Sequence, residues 1–289
     1  MLSVSEIVQK VKELEIISRK LTTHMFTGEY HSAFKGRGMS FREVREYDIG
    51  DDIRFIDWNV SARYSHPFTK VFEEERELTV ILMVDISASS LFGTINQQKK
   101  DMIVEIGAVL TFSAINNDDK VGVIFFSDKI EQYIPPKKGK KHALYIVREL
   151  LTAQAKRKGT NLSEAFKFFN KMSYHKNIGF VMSDFLDNNY EDNLKVMGRK
   201  HDVIGLKVYD KMDMQLPEVG MLQVQDLETG KTRWIDTSNA MVRYNYQQNF
   251  LEQSELCKNI FKKAGADLLH IRTDEDYVKI LQQFFIKRR

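Results

Sequence analysis

Five short apolar runs, separated by stretches with helical periodicity, constrain the fold of this chain more than any other feature. They read as strands at residues 79–85, 120–127, 177–183, 202–209 and 266–271. Each is dense in Val, Ile, Leu and Phe rather than strictly alternating, which is the pattern of strands buried on both faces. Between them, Ile103, Ile106 and Leu110 fall on one helical face, as do Tyr277, Ile280, Leu281 and Phe284 near the end. Strand–helix alternation of this kind predicts an α/β fold: a doubly wound, mostly parallel sheet with helices on both faces. Two antiparallel additions are expected. One is a tight turn near Ser127–Lys129 with a strand returning to Ile134, stopped by Pro135-Pro136. The other is a hairpin, residues 220–227 and 232–236, around a short polar turn.

The first 78 residues follow a different pattern. A helix with Ile7, Val11, Leu14, Ile17 and Leu21 on one side precedes a glycine- and charge-rich, extended stretch from Gly28 to Glu77. We read residues 1–78 as an N-terminal helix and lead-in packed on the sheet, and residues 79–289 as the α/β domain.

Composition excludes several functions. Hydrophobic residues make up 43% and charged residues 29%, as in an ordinary globular protein. A net charge of +3 gives no argument for nucleic acid. The single cysteine, Cys257, excludes an intramolecular disulfide and multi-cysteine metal sites. No basic, apolar leader opens the chain and no apolar run is long enough for a membrane span, so the expected location is cytoplasmic without membrane insertion.

The first strand ends in Asp85-Ile86-Ser87-Ala88-Ser89, which places three hard oxygen donors on one tight turn. Magnesium-like ions take such donors together with retained water. Serines after a strand are also ordinary helix caps, so these three alone decide nothing. Topology adds weight, because ligands of doubly wound sheets bind beyond the carboxyl ends of strands where the strand order reverses. Asp184 ends the strand 177–183 and would face Asp85 there. Thr160, in a loop entering the helix 163–172, adds a hydroxyl.

In that chain order, Asp85, Ser87, Ser89, Thr160 and Asp184 resemble the metal-ion-dependent adhesion site of von Willebrand factor A domains. A closer resemblance covers almost the whole chain. Gly36-Arg37-Gly38, the run from Phe41 to Tyr47, Gly50-Asp51-Asp52-Ile53-Arg54, Ile56-Asp57-Trp58 and Ser61-Ala62-Arg63 are similar to the signature of the domain-of-unknown-function 58 family. Its members carry a von Willebrand A-like domain after that signature and are commonly encoded beside MoxR-type AAA+ ATPases. The resemblance implies a non-enzymatic adaptor with weakly bound Mg²⁺ or Mn²⁺. It also implies a protein partner that supplies an acidic ligand, a MoxR-type ATPase or its client. The competing reading is a metal-dependent phosphatase or hydrolase with Asp85 as nucleophile. Ser87 stands where such enzymes need a second aspartate, and no phosphate-binding glycine loop or nucleophile elbow is present.

The charged segment from Arg42 to Arg63 reads either as a recognition surface or as a set of internal arginine–carboxylate pairs, and pairing is the favoured reading. Arg157-Lys158 should stand at the rim of the metal face and steer an acidic partner. The lysine-rich run from Lys137 to Lys141 should lie at the opposite end. The seven histidines show no ligand spacing.

Overall fold

The computed structural model describes residues 9, 11–16, 39–74, 78–94, 98–157, 159–173, 175–187, 189–225 and 230–288. Ile7, Ile17, Leu21, Lys158 and the turn at 226–229 lie outside these. The chain divides into two compact units, Phe34–Glu77 and the remainder.

In the small unit, β1 (Met39–Glu46) pairs antiparallel with β2 (Phe68–Glu74), with a bulge between Phe41 and Glu43. Helix α1 (Trp58–Tyr64) begins at Asp57, whose carboxylate accepts the free N–H groups of Asn59 and Val60. The arginine–carboxylate pairs form locally: Arg45 holds Asp48 and Asp51 at 3.1 and 2.8 Å, and Arg54 holds Asp52 at 2.6 Å.

The large unit is built on one sheet. Its strands are β3 (Thr79–Asp85), β4 (Lys120–Phe126), β5 (Ile130–Lys137), β6 (Ile178–Ser183), β7 (Asp202–Tyr209) and β10 (Asp267–Arg272). Their spatial order is β10-β7-β6-β3-β4-β5, parallel except for β5. The expected doubly wound, mostly parallel α/β architecture is present, and β3 and β7 have the bounds read from the sequence. Between β7 and β10, the strands β8 (Met221–Gln225) and β9 (Thr232–Asp236) pair as the expected hairpin.

Helices cover both faces. On one, α4 (Leu162–Met172), α5 (Glu191–Lys200) and α7 (Ala240–Ala264) bury Phe166, Phe169, Leu194 and Phe261 against Ile81, Met83, Val181 and Val203 of the sheet. Gly205 in β7 makes room for this layer, since a Cβ there would stand 2.5 Å from the ring of Phe261. On the other face, α2 (Lys99–Asn116), α3 (Lys140–Thr152) and α8 (Tyr277–Lys287) pack over Phe180 and Met182; Phe285 meets Phe180 edge-on. Residues 11–16 are helical, and Leu14 is buried with Ala108, Phe112, Ala143 and Val147. A short helix, α6 (Lys211–Met214), follows β7.

One expected boundary is wrong. β5 does not stop at Ile134; it runs through Pro135 and Pro136 to Lys137. A proline interrupts a central strand because it lacks an N–H, but an edge strand tolerates it. The pairing adapts with a register shift between Val121 and Val123, where Gly122 accepts a neighbour so close that a Cβ would meet Pro136 N at 2.9 Å.

Candidate metal centre

The strand order reverses at β3 and β6, and the loops leaving these two strands part there to leave a crevice. Asp85, the last residue of β3, is 2% exposed. Its Oδ1 accepts the Ser87 N–H at 2.9 Å and its Oδ2 accepts the Ser183 hydroxyl at 2.6 Å. Burial first, and the charge of Asp184 second, push this carboxyl up to about 7. The chain then makes a 3-10 turn over Ala88–Leu91, pinned by a 2.7 Å bond from the Ser90 hydroxyl to the Ser87 carbonyl. The Ser87 and Ser89 hydroxyl oxygens are left 3.1 Å apart.

Asp184 follows β6 and is also buried. The next residue, Phe185, has φ of 54°, a left-handed conformation that costs a bulky residue about 1–2 kcal/mol. Two contacts hold it: its N–H donates to the Ser183 hydroxyl at 3.1 Å, and its ring meets Phe261 edge-on at 5.2 Å. Ser183 therefore fixes both the Asp85 carboxylate and the bend beside Asp184.

Lys99 opens α2 and is almost wholly buried. Its Nζ lies 3.0 Å from Asp184 Oδ2 and 3.3 Å from Asp213 Oδ2, with the Phe92 ring centroid 5.7 Å away. Burial alone would lower the pKa of this amine. The two carboxylates more than offset that, and the ammonium is held above its ordinary value.

A third buried carboxylate, Asp210, gives the comparison that identifies the open position. Asp210 Oδ1 accepts from the Thr94 hydroxyl and the Met212 N–H, and Oδ2 accepts from the Thr94 N–H and the Thr273 hydroxyl. Asp85 is likewise engaged at both oxygens. Asp184 is not: its Oδ1 is buried with no hydrogen-bond partner among the described residues. A buried acceptor left without a donor costs about 1–3 kcal/mol.

These residues fit a hard divalent ion. Two adjacent ligands of an octahedral ion with bonds of about 2.1 Å stand roughly 3.0 Å apart, close to the separation of the two serine oxygens. Asp184 Oδ1 is a carboxylate oxygen without a hydrogen-bond partner among the described residues. Among those residues no group of three or more His, Cys, Asp or Glu side chains is placed to hold a metal ion; the polar atoms gathered here are carboxylate and hydroxyl oxygens.

Four of the five residues singled out in the sequence come together: Asp85, Ser87, Ser89 and Asp184. Thr160 stands apart from the enclosed pocket, in the wall of a groove of about 830 Å³ that also includes Ser89, Lys99, Asp187 and Asp213. The hairpin strands β8 and β9 form the far wall with Val224, Arg233 and Ile235. Sequence reading missed Ser183, Lys99 and Asp213. A signal for Lys99 exists: Lys99, Met102, Ile103 and Ile106 share one helical stripe, so the lysine lies in phase with core residues.

Arg157 is ion-paired to Asp128 at 3.1 Å rather than standing as a free rim charge. The lysine run lies at the amino end of the parallel strands, where Lys137 pairs with Val121, and Lys138 and Lys140 hold Asp118 and Glu15.

The family described as Protein of unknown function DUF58 matches residues 43–256. The chain belongs to this DUF58 family. An uncharacterized protein of Mycobacterium bovis is 28% identical over 282 residues, which is 96% of this chain and 89% of that protein. The uncharacterized Bacillus subtilis protein YeaD is 29% identical over 110 residues, or 38% of this chain and 25% of that protein. Two solved structures share the fold. The conserved hypothetical protein BatB from Bacteroides thetaiotaomicron has a TM-score of 0.50 at 17% identity, covering 73% of this chain and 98% of its own. An aerotolerance-related membrane protein from Bacteroides fragilis has a TM-score of 0.51 at 15% identity, covering 73% of this chain and 99% of its own. Among the described residues of this DUF58 chain, no helix is long and apolar enough to cross a membrane.

Proposed function

We propose that this chain is a non-enzymatic adaptor whose strand-end pocket is a metal-ion-dependent adhesion site. The ion is Mg²⁺ or Mn²⁺, weakly bound, with Ser87, Ser89, Thr160 and Asp184 as its candidate ligands. Asp85 acts through water or through the serines, because both of its oxygens already accept hydrogen bonds. When bound, the ion supplies a Lewis-acidic position for a carboxylate from a partner protein. The observation that carries this reading is Asp184 Oδ1, a buried acceptor with no donor among the described residues, in a pocket that Asp85 and Ser89 also line.

The partner class is a MoxR-type AAA+ ATPase or its client, which locates the chain in the cytoplasm. A phosphatase would use Asp85 to attack phosphorus. Ser87 stands where such an enzyme needs a second aspartate as acid and base, which argues against that role.

Capture of a purified MoxR-type ATPase by the full chain, with Mg²⁺ or with chelator, tests the reading. Retention should fall at least tenfold in chelator and in Ser89→Ala, with the circular dichroism spectrum unchanged. Retention that ignores both the chelator and the substitution would overturn the adhesion reading. Turnover of phosphoesters by the purified chain would favour the enzymatic one.

A further inference from the structure

Lys99 holds Asp184 Oδ2 at 3.0 Å, the other oxygen of the carboxylate whose Oδ1 has no hydrogen-bond partner among the described residues. The enclosed pocket lined by Asp85, Ser89, Ser90, Lys99, Ser183 and Asp184 has no space for a water-sized sphere. The lysine lines this pocket and the outer groove as well, and Asp213, with a side chain 26% exposed, lines the groove alone. The ammonium thus spans two carboxylates at different depths, Asp184 inside and Asp213 at the groove.

We propose that Lys99 is a tethered cation that competes with the divalent ion for Asp184, and that Asp213 holds the ammonium when the ion enters. The proposal rests on the metal reading of the pocket and adds a selectivity device to it. An ion must displace a resident positive charge, so its affinity is set by the balance between Asp184 and Asp213 as partners of Lys99. Two positive charges cannot share one small, dry site without strong repulsion. A short move of Nζ toward Asp213 relieves that repulsion without exposing the lysine stem. A purely structural lysine, present only to neutralise buried carboxylates, would stabilise the fold but would not oppose the ion.

Calorimetric titration of the full chain with MnCl₂ separates the two roles, using wild type, Lys99→Met, Asp213→Asn and the double variant. Lys99→Met keeps the apolar stem and removes the charge, and should bind Mn²⁺ at least tenfold more tightly. Asp213→Asn should bind at least threefold more weakly, because it leaves the ammonium with Asp184 as its only carboxylate. In the Lys99→Met background that same substitution should change affinity by less than twofold, since its effect runs through the lysine. Equal affinity in wild type and Lys99→Met overturns the competition and leaves the metal reading standing. Absence of binding in all four proteins overturns both. Should Lys99→Met fail to fold, Asp213→Asn decides alone: weakened binding supports the proposal, and unchanged binding overturns it.

Discussion

Lys99, at the start of α2, and Lys207, near the carboxyl end of β7, are 2% and 1% exposed. Around Lys99 two carboxylates stand within 3.3 Å, and the ammonium keeps its proton more firmly than in water. No described carboxylate comes within ion-pair distance of Lys207. Its amine lies 5.5 Å from the Phe250 ring centroid, and burial draws its pKa down. The difference follows from the partners each lysine meets. Both lie near the carboxyl ends of the strands, Lys207 in register with Ser183, but Lys99 reaches Asp184 and Asp213 while Lys207 reaches the Phe250 ring. A buried lysine without a carboxylate at ion-pair distance must shed stability, charge or both. Burial alone therefore does not mark a functional lysine; its partners do.

The largest expected effect comes from removing the partner that sets the two lysines apart. Asp184→Ala breaks the buried pair and leaves Lys99 with the partly exposed Asp213 alone; loss of one partner of a buried pair costs up to about 3–5 kcal/mol. Thermal unfolding should show a large drop in Tm, and an unchanged Tm would show that Lys99 does not depend on the pair.

His201 sharpens the comparison as a buried base with a backbone partner. Its Nδ1 accepts the Asn177 N–H at 3.2 Å, which demands the neutral ring, and burial lowers its pKa to about 4. The unfolded chain binds this proton near the ordinary value of 6.5, so stability is lost as pH falls from about 6.5 to about 4. The loss attributable to this ring should be on the order of 2 kcal/mol. Urea unfolding at pH 7 and pH 4.5 should show a shallower pH dependence in His201→Asn than in wild type. Parallel dependences would remove His201 from the account.

The smallest effect, opposite in sign to the first, is expected at Lys207. Replacing it by Met fills the same space without a charge and should stabilise the fold by about 1 kcal/mol, a few degrees in Tm. Because the folded pKa lies below the unfolded one, wild type gains stability as pH rises toward the ordinary lysine value. The advantage of Lys207→Met should therefore shrink on that approach. A destabilised Lys207→Met would mean that the lysine has a partner worth more than its desolvation.

Much of this was legible in the sequence. The bounds of β3 and β7 follow from unbroken apolar runs, and the reversal between β3 and β6 brings Asp85 and Asp184 to one crevice. Lys99 carries only the weak signal of its helical phase, and its partners lie 85 and 114 residues further on. The unequal satisfaction of Asp85, Asp184 and Asp210 was out of reach of any pattern. It depends on individual donors, such as Thr94 and Thr273 for Asp210, that only the folded chain brings close.

The prolines of β5 have a consequence outside the site. Successive residues of a strand point their N–H groups to opposite sides, so Pro135 and Pro136 together remove one donor toward β4 and one toward solvent. The inward loss coincides with the register shift at Gly122. The outward loss leaves a foreign strand without a complete ladder to copy along this border of the sheet. Natural sheets use this device against edge-to-edge aggregation. At β5 the same device disfavours strand pairing between copies of the chain.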